Sequence, residues 1–159
     1  MGYLMVKIFV VYDSKYGNTK IVAEKIVEGM NALGGVEVAI GYVNDVDTAQ
    51  VAAADVVVLG GPNHMGTASR TIMGFVDTLA KVNPKALWVA CFDTYMGREK
   101  ARGRAARKLE KKVGEKLPNA KLITPALSIK VSAIKGPIAD NELPKSLEFG
   151  KKIASQLKT

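Results

Sequence analysis

The sequence predicts an α/β fold, a single doubly wound five-stranded parallel sheet with helices on both faces. Three observations predict it. Apolar runs of strand length alternate with stretches of helical periodicity five times along the chain. Two of those runs, Val56-Val57-Val58-Leu59 and Ala86 to Phe92, read as strands buried on both faces, as a parallel sheet requires. The chain has 159 residues, 48% hydrophobic and 24% charged, which suits one domain over 1–159.

The elements follow in order. Leu4 to Tyr12, with Val6, Ile8, Phe9, Val10 and Val11, is the first strand. From Thr19 to Leu33 the apolar residues Ile21, Val22, Ile26, Val27, Met30 and Leu33 recur at helical spacing, and Gly34-Gly35 stops the helix. Val36 to Val43 is the second strand, Thr48 to Ala54 a short helix, and Asp55 to Gly60 encloses the third strand. Ser69 to Val82 is a helix with Ile72, Met73, Val76, Leu79 and Ala80 on one side. The fourth strand, Ala86 to Phe92, leads to a helix over Gly103 to Leu117 with Ala105, Ala106, Leu109, Val113 and Leu117 inward. Lys121 to Val131 is the fifth strand, with Pro125 as an interruption. Glu142 to Leu157 closes the chain as a helix packing through Leu143, Leu147, Ile153 and Leu157.

Ligands of such sheets bind at the carboxyl ends of the strands, where the strand order reverses. The loops after the first, third and fourth strands are therefore the candidates. The first loop, Ser14-Lys15-Tyr16-Gly17-Asn18-Thr19, opens a helix. Free amides and the positive end of the helix dipole favour an anion there, and Ser14, Asn18 and Thr19 add short polar side chains. Gly17 allows close approach or a positive φ. The plainer reading is a helix cap at Asn18 or Thr19. A Walker A loop, G-x-x-x-x-G-K-S/T, is absent, and so is the dinucleotide pattern G-x-G-x-x-G/A. A mononucleotide phosphate is the better fit.

Ser14, Tyr16, Gly17 and Thr19 match the pattern Ser/Thr-x-Ser/Thr/Tyr-Gly-x-Thr, and at these residues the chain resembles the flavodoxins, in length their short-chain members. The resemblance covers essentially the whole chain. It implies the strand order 2-1-3-4-5, non-covalently bound FMN, and electron transfer between redox partner proteins. It implies that Ser14, Lys15, Tyr16, Gly17, Asn18 and Thr19 hold the phosphate. The loop Gly60 to Thr67, with Pro62, Asn63, His64, Met65, Gly66 and Thr67, would then cover one flavin face. Met65-Gly66 looks similar to the Met-Gly pair of some short-chain members, and His64 competes for the facing position. The loop after strand four supplies Phe92, Asp93, Thr94, Tyr95 and Gly97. Tyr95 is expected to stack on the outer flavin face, and Asp93 or Thr94 to bond the pyrimidine edge or the ribityl hydroxyls. The loop Val131 to Asp140 flanks the site. No catalytic residue and no metal ligand is assigned: His64 is the single histidine, and Cys91 has no C-x-x-C companion and reads as a buried strand residue.

The formal net charge is +8, unevenly placed. Residues 1–97 carry 7 basic and 9 acidic side chains, residues 98–116 carry 9 and 3, and residues 117–159 carry 7 and 3. Arg98, Arg102, Arg104, Arg107, Lys108, Lys111 and Lys112 are expected to form a basic face that docks an acidic redox partner, with a solvated helix face as the plainer reading. A nucleic-acid-binding module is the weakest alternative, because no helix-turn-helix, zinc or RNA-binding motif accompanies the charge. An FMN-dependent oxidoreductase, similar to quinone reductases or heme-pathway oxidases, is the stronger alternative, yet so short a chain has little sequence for a substrate pocket. An electron carrier rather than a dedicated enzyme is expected. It would be cytoplasmic, because it has a single cysteine and no signal-peptide pattern, and a monomer or weak homodimer with no membrane or nucleic-acid partner.

Overall fold

The computed structural model describes residues 5–86 and 88–157. Leu4, the expected start of the first strand, and Leu87, inside the expected fourth, lie outside the described residues. Five strands pair in parallel: β1 (Val6–Tyr12), β2 (Val36–Tyr42), β3 (Val56–His64), β5 (Trp88–Tyr95) and β6 (Lys121–Lys130). Their order is β2-β1-β3-β5-β6, which is 2-1-3-4-5 for the five principal strands. A two-residue strand, β4 (Thr67–Ala68), turns back antiparallel on the end of β3. The order reverses between β1 and β3, so the carboxyl ends of β1, β3 and β5 open onto one crevice.

Alternation along each central strand divides the core in two. On β1, Phe9 and Val11 join the layer under α3 (Arg70–Ala80) and α4 (Arg104–Lys116). Ile8, Val10 and Tyr12 join the layer under α1 (Asn18–Leu33) and α5 (Leu143–Gln156). The apolar run Val56–Leu59 is completely buried because both of its faces are covered. The short helix α2 (Thr48–Ala52) is capped by Asp47, whose carboxylate accepts the Ala49 N–H at 2.9 Å.

Helices α1 and α5 meet through glycine. A methyl group on Gly29 would stand 2.1 Å from the Leu147 carbonyl oxygen, and one on Gly150 would stand 2.0 Å from that of Ile26. The helices therefore touch backbone to backbone. This corrects the inward set expected for the last helix: Ser146, Phe149, Gly150, Ile153 and Ala154 are buried, while Leu143, Leu147 and Leu157 are half-buried. On α1, Ile21 and Leu33 face out. On α3, Phe75 joins Ile72, Val76 and Leu79 inside, and Met73 and Ala80 sit at the margin.

The largest departures are at strand ends. β3 runs on to His64 and β5 to Tyr95, pairing through Gly61↔Asp93 and Pro62↔Thr94. Gly60-Gly61-Pro62 is thus strand rather than loop. The extension persists because Asn63 and His64 pair with Ala68 and Thr67 across a two-residue turn. Met65 (φ 54°) and Gly66 (φ 85°) both adopt left-handed backbone there, as tight hairpins require. Pro125 falls in an irregularity of β6, where Ala90 pairs with Ile123 but Phe92 with Leu127. Among the described residues, no helix is long and apolar enough to cross a membrane.

Candidate functional site

The crevice at the switch point is a cleft of about 530 Å³, within the roughly 300–1,000 Å³ usual for small-molecule sites. Four chain segments line it: Ser14, Lys15, Tyr16, Asn18 and Thr19 after β1; Pro62, Asn63, His64 and Met65 at the end of β3; Thr94, Tyr95 and Met96 at the end of β5; and Val131 and Ile134 after β6.

The first segment is built around the Ser14 hydroxyl. Its oxygen accepts the N–H of Gly17 at 3.1 Å and of Lys20 at 3.4 Å, curling the loop into the first turn of α1. The cap position is Gly17 at φ 95°, so neither Asn18 nor Thr19 caps the helix as the plainer reading had it. Both lie buried within the first turn instead. The helix begins with its amide donors directed to the cleft end of the sheet, the arrangement that attracts an anion. The loop after β6 closes against it: Gly136 (φ 98°) approaches so near that a methyl group there would be 2.5 Å from Asn18 Oδ1.

The second segment is the hairpin. The Asn63 carboxamide oxygen accepts the Gly66 N–H at 2.7 Å, and its Nδ2 donates to the Ala101 carbonyl at 3.5 Å. That second bond ties the turn to the 3₁₀ segment Glu99–Ala101 before α4. Met65 is completely exposed at the tip, and His64 is exposed beside it. Gly66 and Thr67 support the turn without lining the cleft.

The third segment obeys strand alternation, which changes the expected roles. Phe92 points into the α1/α5 core, its ring lying where a side chain on Gly60 would stand. Asp93 points the other way, under α4, accepting from the Ser128 hydroxyl and, at 2.9 Å, from the Ala106 N–H. Burial pushes its carboxyl above the usual range despite those donors. Phe92 and Asp93 are therefore removed from the cleft surface, as is Gly97 in the turn beyond it. Thr94 returns to the cleft side, its hydroxyl 2.8 Å from that of Thr19.

Tyr95 is reached by the cleft, but only 1% of its surface is exposed. The Arg102 guanidinium lies 4.9 Å from the ring centre, and the phenol donates to Glu99 at 3.1 Å. Burial and the Glu99 carboxylate push that hydroxyl up to about 12. The ring is thus engaged on the α4 side, and the exposed side chain at the end of β5 is Met96. Val131 and Ile134 come from the loop expected to flank the site, while Met96 lines the cleft without having been assigned a role; an apolar residue just past a strand end was the available signal. Cys91 is buried in β5, where its thiol is pushed well above its ordinary range. Among the described residues, no cluster of His, Cys, Asp or Glu suits a metal ion.

The family model described as the flavodoxin domain matches residues 9–132. A flavodoxin of Aquifex aeolicus (strain VF5) is 38% identical over 73 residues, a stretch that is 46% of this chain and 40% of that protein. The structure of a flavodoxin from the domain Archaea superposes with a TM-score of 0.81 at 26% identity, covering 97% of this chain and 100% of the other. The flavodiiron core Flv1 of Synechocystis sp. PCC6803 superposes with a TM-score of 0.76 at 20% identity, covering 96% of this chain but 36% of that one, a likeness of fold alone.

Proposed function

The chain belongs to the flavodoxin family, and from that premise we propose that its cleft binds FMN and that the protein carries electrons between redox partner proteins. One observation carries the reading. The amino end of α1, with Ser14, Asn18 and Thr19, opens into the same cleft as the Met65 turn and the end of β5. A phosphate-seeking helix end and a slot between two loop tips are what a flavin mononucleotide needs. The donor set fits: the phosphate end offers hydroxyl, carboxamide and backbone amides, and a methyl group on Gly17 would meet nothing within 4 Å, so the loop is open on that side. No carboxylate is among the lining residues to repel the anion.

Bound FMN supplies reversible one- and two-electron redox chemistry. The protein's own part is to bind, orient and shield. Ser14 to Thr19 hold the phosphate. Thr19 and Thr94, hydrogen-bonded to each other, contribute polar oxygens to the cleft lining. Asn63, His64 and Met65 from the end of β3 and Thr94 and Met96 from the end of β5 complete the lining. The hairpin keeps its turn rigid through Asn63 on one end and Ala101 on the other. The positive charge of the chain favours an acidic partner protein.

Flavin extraction tests this. The protein is expected to yield equimolar FMN, and the apoprotein to bind FMN far more tightly than riboflavin, which lacks the phosphate. Equal affinity for the two would remove the phosphate role of Ser14 to Thr19, and a chain that takes up neither would end the cofactor reading.

A further inference from the structure

Resting on that cofactor reading, we propose that an acidic redox protein docks over the mouth of the cleft itself, on an apolar centre rimmed by Lys15, Lys135 and Arg104 at the start of α4, rather than on the cations further along that helix.

Much of the α4 face is already committed. Arg102 is held by Glu99, Glu142 and the Ser128 carbonyl. Lys112 and Lys116 converge on Asp77, at 2.6 and 3.7 Å. Arg107 donates back to the Arg102 carbonyl at 3.2 Å. These cations neutralise or brace their own chain, so the sequence stretch overstates the charge offered to a partner.

The cleft mouth is different. Four large apolar side chains stand exposed there, each from a different loop: Tyr16 at 44%, Met65 at 103%, Met96 at 46% and Ile134 at 63%. Exposed apolar groups gathered in one place mark a contact surface, and scattered ones do not. Cations surround them. The Lys15 and Lys135 ammonium groups lie 5.5 and 6.0 Å from the Tyr16 ring centre, and both side chains are exposed. Next to the Met65 turn, the Arg104 guanidinium carbon is 3.7 Å from where a methyl group on Gly66 would stand. An apolar, Tyr- and Met-rich centre inside a charged rim is the anatomy of a protein interface. The sign of the rim selects an acidic partner, and it disfavours a second copy of this chain, which would bring the same cations into register.

The test uses FMN-loaded, reduced protein and one acceptor in two charge forms: native horse cytochrome c, which is basic, and its succinylated derivative, which is acidic. In each reaction the reduced flavin gives up one electron and the ferric haem becomes ferrous. The acidic form is expected to react faster at low salt, and its rate to fall as salt rises. Replacing Lys135→Glu together with Arg104→Glu should cut that low-salt rate by about tenfold or more. Lys108→Glu with Lys111→Glu should change it by less than about twofold by the same steering argument. FMN is titrated into every variant first, and rates are taken at saturation. A chain that never loads FMN would overturn the cofactor reading. A loaded chain that prefers the basic cytochrome, or that responds to the α4 pair and not to the rim pair, would overturn the docking site. Duplex DNA displacing the acidic cytochrome at physiological salt would assign the rim to nucleic acid instead.

Discussion

The hydroxyls of Thr19 and Thr94 lie 2.8 Å apart, joining the first turn of α1 to the end of β5 across 75 residues of sequence. Both side chains are buried and both line the cleft, so the bond fixes the spacing between the loop after β1 and the end of β5. Removing either hydroxyl leaves the other short of a partner, at roughly 1–3 kcal/mol. Thr19→Val and Thr94→Val should each lower the urea midpoint, and the double variant should lose less than the two singles combined. A double-mutant cycle reads this directly; strictly additive losses would mean the two hydroxyls are independently satisfied.

The end of β5 separates two adjacent side chains, Tyr95, which was expected at the flavin face, and Met96, which was not. Tyr95 is turned under Arg102, whereas Met96 is exposed at the cleft. Met96→Ala should therefore weaken FMN binding by roughly fivefold, the worth of about 1 kcal/mol of half-buried apolar contact. Tyr95→Phe should leave the flavin absorption spectrum unchanged while releasing Glu99. Fluorescence titration and a visible spectrum of each variant decide it; a perturbed spectrum for Tyr95→Phe together with an unaffected Met96→Ala would return the tyrosine to the ring.

The contrast shows what was legible in the sequence. The alternation of apolar runs and helical spacing was enough for the five parallel strands and the main helices, because both-face burial leaves an unmistakable pattern in Val56–Leu59. That the loop after β1 lines the cleft was legible because Ser14, Gly17 and Thr19 sit at fixed offsets from a strand end. Side-chain direction past the strand ends was not. Gly60-Gly61-Pro62 carries turn composition, yet pairing with β5 and with β4 holds it extended. Once β5 is known to reach Tyr95, a period of two sends Phe92 and Thr94 to one face and Asp93 and Tyr95 to the other. Glycine contacts such as Gly29 on Leu147 were illegible for a different reason: hydrophobic periodicity gives no weight to a residue whose contribution is the absence of a side chain.

Arg102 connects the cleft wall to the start of α5. Its guanidinium donates to Glu142 at 3.1 Å and also to Glu99, and Glu142 further accepts from the Lys130 N–H at 2.7 Å and from Lys145. Burial pushes the Glu142 carboxyl up, but these donors outweigh it and hold it below its ordinary range; Arg102 does the same for Glu99. Depressed carboxyls contribute stability that is present above the unfolded value of about 4.3 and lost as pH falls through the folded one. Arg102→Leu should destabilise the protein at neutral pH by roughly 1–3 kcal/mol through the lost hydrogen bonds to Glu142 and the Ser128 carbonyl. The gap to wild type should narrow below about pH 4, where the wild type loses the same contribution. Urea midpoints across that range check it; a gap of constant size would make the arginine's role one of packing.

Gly136 and Gly97 adopt nearly the same backbone, φ 98° and 96°, in different surroundings. An alanine at either carries the same left-handed strain, roughly 1–2 kcal/mol. At Gly97 a methyl group would meet nothing within 4 Å, so strain is the whole cost. At Gly136 it would also press on the Asn18 carboxamide, at 2.5 Å from Oδ1 and 3.0 Å from Nδ2. Asn18 is buried in the first turn of α1, so displacing its side chain would press on the loop Ser14 to Thr19. Both variants should therefore melt at lower urea concentration, Gly136→Ala the lower of the two, while only Gly136→Ala should lose FMN affinity, and lose more for FMN than for riboflavin. If both variants bound FMN alike, the loop after β6 would have no part in shaping the phosphate site.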